Sequence, residues 1–215
     1  MKIEGEKGKK VDRSEKIVYN VGNQGVRGDG GMIYPARPVV LKNGKSILFR
    51  EVREEDAAKM LACLGRMCAE TDYLSRTAAE AGRMTPEEER AYLRNCIASP
   101  DRVMIVAEAD GAIAGNCQVQ FLNRERTRHR AVFMIGLLSD YWGQGIGSAM
   151  FGEMERLARA RGGIRQLELE VAEDNLRAQG LYRKMGFSEV ARLPDALRRQ
   201  DGTYRAIVYM RKVLE

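Results

Sequence analysis

The stretch that most limits what this chain can become runs from residue 131 to 187. It opens with an apolar run, AVFMIGLL, passes through YWGQGIGS, and enters a segment where Ile146, Met150, Met154, Leu157 and Arg161 mark one helical face. Gly162-Gly163 closes that helix. Leu167-Glu168-Leu169-Glu170-Val171 alternates strictly, as a strand does, and residues 175–185 read as a helix stopped by Gly186. Strand, glycine loop, helix, strand and helix in that order require helices laid against a sheet, which excludes a bundle or a sandwich.

The flanking sequence extends the pattern. Residues 46–52, SILFREV, read as a first strand, and Ala57, Met60, Leu61, Leu64 and Met67 follow at helical spacing. Thr85-Pro86-Glu87-Glu88 is a capping box with proline at the first helical position, opening a second helix with Tyr92, Leu93, Cys96 and Ile97. Residues 103–109 and 112–122 are strands joined at the Asp110-Gly111 turn, and 131–138 is the fourth strand. Residues 187–193 and 204–210 close the chain as two strands, expected to pair antiparallel. The predicted order is β-α-α-β-β-β-α-β-α-β-β, an α/β class. Residues 1–31 are rich in Lys, Glu and Gly and read as a flexible or weakly docked extension; 32–215 read as one domain.

The glycine loop sits where an apolar strand hands over to a helix. The first turn of a helix leaves backbone N–H groups unpaired, and its dipole favours negative charge there. Glycines remove the Cβ atoms that would hold a pyrophosphate off. The Walker pattern is absent, and GxGxxG fails because Ser148 or Met150 falls in the third glycine slot. Glu170, near a strand end downstream, is the feature that best suits a dinucleotide.

Residues 175–187, NLRAQGLYRKMGF, carry Asn175, Ala178, Leu181, Tyr182, Gly186 and Phe187 in the pattern N-x-x-A-x-x-L-Y-x-x-x-G-F. With QGIGS upstream, this resembles the acetyl-CoA-binding core of the GNAT superfamily of N-acetyltransferases. The resemblance covers 46–213 in element order and is densest over 131–187. It implies a mixed, mostly antiparallel sheet with helices on both faces and a V-shaped splay between the fourth and fifth strands. One position departs: Trp142 occupies the slot that is usually Gln or Arg.

The resemblance also implies roles. Pyrophosphate would sit on the amides of Gln144, Gly145, Ile146, Gly147 and Ser148, with Trp142 and Gly143 beside it. The fourth strand would open at a bulge, for which Gly136 is suited, and offer the N–H of Leu137 to the thioester carbonyl, with Leu138 adjacent. Asn175 would meet the pantetheine arm, and Arg177 and Lys184 the adenosine phosphate. Tyr182 is the candidate general acid, because a phenol of pKa ~10 stays protonated and can supply a thiolate of ~8.5.

No carboxylate lies on the fourth strand, so the base is not legible. Glu70, Asp72 and His129 are the candidates on the acceptor side. The implied reaction is direct attack of a primary amine, on a small molecule or a protein, on acetyl-CoA in a ternary complex. A catalytically silent acyl-CoA-binding module is the alternative. Net charge +6 and the alternating Arg124, Arg126, Arg128 and Arg130 leave an RNA- or ribosome-associated module as a weaker one. Cys63, Cys68, Cys96 and Cys117 form no CxxC pair, and His129 is the lone histidine, so no metal site and a reducing, cytoplasmic setting are expected. No apolar run approaches a membrane span. A homodimer is expected from the family and from exposed edge strands near the C-terminus.

Overall fold

The computed structural model describes residues 32–41 and 43–215; the extension expected over 1–31 lies outside the described residues. The elements are β1 (Arg37–Val40), β2 (Ser46–Glu51), α1 (Ala57–Glu70), α2 (Ala78–Ala81), α3 (Pro86–Ala98), β3 (Arg102–Ala109), β4 (Ala112–Phe121), β5 (Arg130–Leu137), α4 (Ile146–Arg161), β6 (Gln166–Ala172), α5 (Leu176–Lys184), β7 (Ser188–Arg198) and β8 (Tyr204–Val213). They form one eight-stranded sheet in the order β1-β2-β3-β4-β5-β6-β8-β7. Every pairing is antiparallel except β5 with β6.

The predicted elements are all present. Strand β1 and the one-turn α2 were not expected. β1 contains Pro38 and lies at the sheet edge, the one place where a residue without an N–H is tolerated in a ladder. The Thr85–Glu88 capping box forms in both directions, and a second one, Thr77–Glu80, starts α2. Asp110 and Gly111 both have positive φ, as the predicted tight hairpin requires.

Two apolar layers sandwich the sheet. On one face α4 sends Ile146, Met150, Met154 and Leu157 against Val119, Ala131, Phe133 and Leu167. On the other, α1 and α3 cover Met104, Val106 and Ile113 with Met60, Cys63, Leu93 and Cys96. β3 feeds both layers, Val103 and Ile105 to one and Met104 and Val106 to the other. That is why it reads as a continuous apolar run. All four cysteines are free and buried, as small apolar side chains would be.

The sheet opens in its middle. β5 and β6 pair only from Arg130–Gln166 to Val132–Glu168, and beyond that point the two strands run on unpaired with each other. This is the expected splay, one strand number later because β1 adds to the count. The bulge expected at Gly136 is absent: β4 and β5 stay in continuous register from Gly115–Leu137 to Phe121–Ala131. Gly136 serves a different need. A Cβ there would stand 2.8 Å from Met67 Sδ, so the glycine lets α1 close on the strand.

Candidate active site

The end of β5 aims its backbone into the splay. Leu138 N–H donates to the Ala114 carbonyl at 2.9 Å, which makes that pair the hydrogen-bonded kind. Antiparallel ladders alternate, so Asn116–Gly136 is hydrogen-bonded and Gly115–Leu137 is not. The N–H and C=O of Leu137 therefore face away from β4, toward the gap left by β6. The carbonyl is taken: Trp142 Nε1–H donates to it at 2.8 Å. The N–H has no such partner. The neighbouring Leu138 is 3% exposed, packs in the α1–α3 layer and has its N–H engaged, so it does not join the site as expected.

Beyond Leu137 the chain turns through Tyr141–Gly143 and enters α4. Gly143 has φ 75° and Gly145, the residue that caps the helix, φ 92°, conformations that side chains resist. No side chain caps α4, so its first N–H groups face the cleft uncovered. A Cβ on Gly147 would approach Leu181 Cδ2 to 3.0 Å, so this glycine keeps α5 close beside the helix start. Gln144 differs from its neighbours: it donates from Nε2 to the Asp140 carbonyl, and its Oε1 accepts from Asn43, so its side chain braces the loop.

A cleft of ≈ 390 Å³ gathers these parts, and Leu137, Trp142, Gly143, Gly145, Ile146, Gly147, Ser148, Asn175, Arg177, Tyr182 and Lys184 line it. Asn175 caps α5, its Oδ1 accepting from Ala178 N–H at 3.1 Å, which leaves its Nδ2 to the cleft. The Arg177 guanidinium stacks 4.8 Å from the Trp142 ring centre. Trp142 thus holds the strand end with one edge and a cation with its face. Uncapped amides, a glycine cradle and two nearby cations suit the phosphates of a CoA thioester.

Tyr182 sits at the inner end. Its ring is wedged against Phe151, centroids 5.1 Å apart, and its hydroxyl has no hydrogen-bond partner among the described residues. Burial raises its pKa to about 12. It also borders a second cavity of ≈ 490 Å³ that lies across the sheet, under α1 and α3. The two spaces share Met67, Tyr73, Leu74, Ile135, Gly136 and Tyr182. A donor in the first and an acceptor in the second would meet at Gly136 and Tyr182.

The acceptor-side expectations fare differently from one another. Glu70 lines the cleft, but its oxygens accept from Ser139 N–H and Arg66, so it anchors the turn after β5. Asp72 is ion-paired with buried Arg205, which also binds Asp174 at 3.0 Å and lies 5.5 Å from the Tyr73 ring. His129 starts β5 at the far end from Gly136 and lines neither space; its carbonyl accepts from Arg165 and Gln166. Glu170, Tyr73, Tyr92 and Gln118 do line the second cavity and were not expected there. Strict alternation in β6 hinted that Glu170 points away from the core, yet only the splay turns that position into a wall. Among the described residues no cluster of metal-ligating side chains occurs, and no helix is long and apolar enough to cross a membrane.

Comparison with known proteins converges on one fold and chemistry. The sequence model of the acetyltransferase (GNAT) family matches residues 70–187. The N-alpha-acetyltransferase RimI of Mycobacterium tuberculosis is 36% identical over 94 residues, which is 44% of this chain and 57% of that protein. The chain thus spans a little over half of that relative's length. The L-amino acid N-acetyltransferase AaaT of Escherichia coli is 30% identical over 114 residues, 53% of this chain and 70% of that one. Among solved structures, an acetyltransferase of the GNAT family from Streptococcus pneumoniae superimposes with a TM-score of 0.72 at 30% identity, covering 78% of this chain and 99% of its own.

Proposed function

Since the chain belongs to the acetyltransferase (GNAT) family, we propose that it is an N-acetyltransferase that moves the acetyl group of acetyl-CoA to a primary amine by direct attack in a ternary complex. One observation carries this reading. The uncapped α4 N-terminus, the outward N–H of Leu137 and the Tyr182 hydroxyl border one cleft, and that cleft joins a second cavity at Gly136 and Tyr182.

The bound thioester would supply the activated acyl carbon. The amides of Gly145 to Ser148 would hold its pyrophosphate, Arg177 and Lys184 the adenosine phosphate, and Asn175 the pantetheine arm. Leu137 N–H would donate to the carbonyl oxygen as negative charge gathers there, a fixed dipole that needs no reorganisation. The carbon–nitrogen bond forms as the carbon–sulfur bond breaks. Tyr182 gives its proton to the departing sulfur and regains one from solvent, while the amine's surplus proton leaves to water. With a pKa of about 12, the phenol keeps its proton until the sulfur needs it.

The relatives' names describe two acceptor types, a protein α-amine and an L-amino acid, and both are primary amines. The same reading includes a cytoplasmic, homodimeric enzyme, supported by the exposed Val190 and Leu193 on edge strand β7. Light scattering checks the dimer. Calorimetry with acetyl-CoA and CoA tests the site: saturable binding by the wild type, lost in Gly145→Glu, is the expected result, and no wild-type binding would end the proposal.

A further inference from the structure

Resting on that reading, we infer that the acceptor is a primary amine whose own neighbourhood carries no carboxylate, and that Glu170 receives its ammonium. The cavity under α1 and α3 is walled by apolar side chains such as Leu64, Met134 and Ile207, with Tyr73, Tyr92, Asn116 and Gln118 as its neutral polar groups. Glu170 is the one ionisable group of ordinary acidity among them, and no Lys, Arg or His lines the space. Glu170 has no ion-pair or hydrogen-bond partner among the described residues, while the carboxylates around it are engaged: Glu168 with Arg130, Asp72 and Asp174 with Arg205, Glu173 with Arg192.

The nearest candidate cation is equally spent. Arg205 is 2% exposed, shared between Asp72 and Asp174, and screened from the cavity by the Tyr73 ring. An acceptor carrying a carboxylate beside its amine would bring a second negative charge into a small space holding one already, with no cation to receive it. An amine, or an α-amine whose carboxyl is an amide, meets only attraction at Glu170 and contact elsewhere. Charge at this wall therefore selects against free amino acids by repulsion as much as it selects for amines by attraction.

Three probes separate the terms: L-leucine, L-leucinamide and isopentylamine, assayed with acetyl-CoA by release of CoA. Isopentylamine is needed because its amine is at least as basic as that of leucine, so an advantage over leucine cannot come from easier deprotonation. Both carboxylate-free probes are expected to exceed leucine in kcat/KM by about tenfold or more. Glu170→Gln is expected to shrink that ratio while leaving acetyl-CoA affinity unchanged, since Glu170 borders only the acceptor side. Equal or better use of leucine, an unchanged ratio in Glu170→Gln, or acetyl-CoA binding with transfer to none of the three would overturn the inference and leave the donor site standing. Failure to bind acetyl-CoA would instead remove the acetyltransferase reading beneath it.

Discussion

Trp142 and Leu137 are five residues apart and meet across the turn that leaves β5: the indole N–H donates to the Leu137 carbonyl at 2.8 Å. The peptide whose N–H faces the splay is thereby held from its other side. Trp142→Phe keeps a ring beneath Arg177 and removes only that donor. A net hydrogen bond of this kind is worth about 1 kcal/mol, so a loss of roughly fivefold in kcat/KM is expected, with little change in melting temperature. Steady-state kinetics beside calorimetric acetyl-CoA affinity would show whether the loss falls on turnover, as orientation of Leu137 requires.

Gly145→Glu asks a side chain to adopt φ 92° and places a carboxylate where the helix start welcomes anions. Strain of about 1–3 kcal/mol and charge repulsion act together, and acetyl-CoA binding should fall by about a hundredfold or more. Gly145→Ala keeps the strain without the charge and should fall between the two. Equal affinities in the two variants would mean that charge at this corner is irrelevant.

Tyr182→Phe should lower kcat about tenfold to a hundredfold while sparing acetyl-CoA affinity, because the lost hydroxyl binds nothing in the free protein. The same substitution has a signature in stability. Folding raises the Tyr182 pKa from 10.0 to about 12, so the native state favours the protonated phenol. Its contribution is full below pH 10 and is lost as pH rises through about 12. Denaturation midpoints of wild type and Tyr182→Phe should therefore converge as pH climbs across that window and stay evenly offset below it.

Arg205 joins Asp72, on the α1–α2 connection, to Asp174, just before the Asn175 cap. Replacing it with Met leaves two carboxylates that are about a third exposed and can take water, so the cost should be about 2 kcal/mol, below that of a fully buried pair. The Tyr73 wall loses its backing at the same time. A raised KM for the amine, larger than any change in KM for acetyl-CoA, is the expected kinetic result.

Gly136→Ala would set a methyl 2.8 Å from Met67 Sδ and push α1 off β5. A destabilisation of about 1–3 kcal/mol is expected, as for other overpacked contacts. Met67→Ala should relieve much of it, so the double variant should melt above the single one. Additive losses would show that the glycine is needed for another reason.

What was legible in the sequence was whatever sits in contiguous residues. The glycine loop and the Asn175-to-Phe187 pattern carry their geometry within one strand–helix junction or one helix, and both line the cleft. The acceptor side was not legible, because its walls come from α1, α3, β4, β5, β6 and β8 at once. Asp72 and Arg205 are 133 positions apart, and nothing local marks either as the other's partner. Glu70 and Asp72 looked like free acids for the same reason. Strand β8 slips between β6 and β7, an order that alternation within each strand does not encode. Even the short-range Trp142–Leu137 contact depends on how the turn folds back, and the Gly136 bulge was expected only because a glycine permits what a methionine had in fact required.

The seam between β5 and β6 is three residue pairs long. Beyond it the backbone of each strand faces the other across open space, so the two halves of the sheet lack the ladder that would make them one cooperative unit. Whatever fills the splay takes over that ladder's task. Amide hydrogens along Ile135–Leu137 and Leu169–Val171 should exchange with solvent far faster than those of β3 and β4, and occupancy of the splay should slow them on both walls together. The molecule's weakest mechanical line and its reaction centre are then the same line, and the acyl donor would be a temporary strand that closes it.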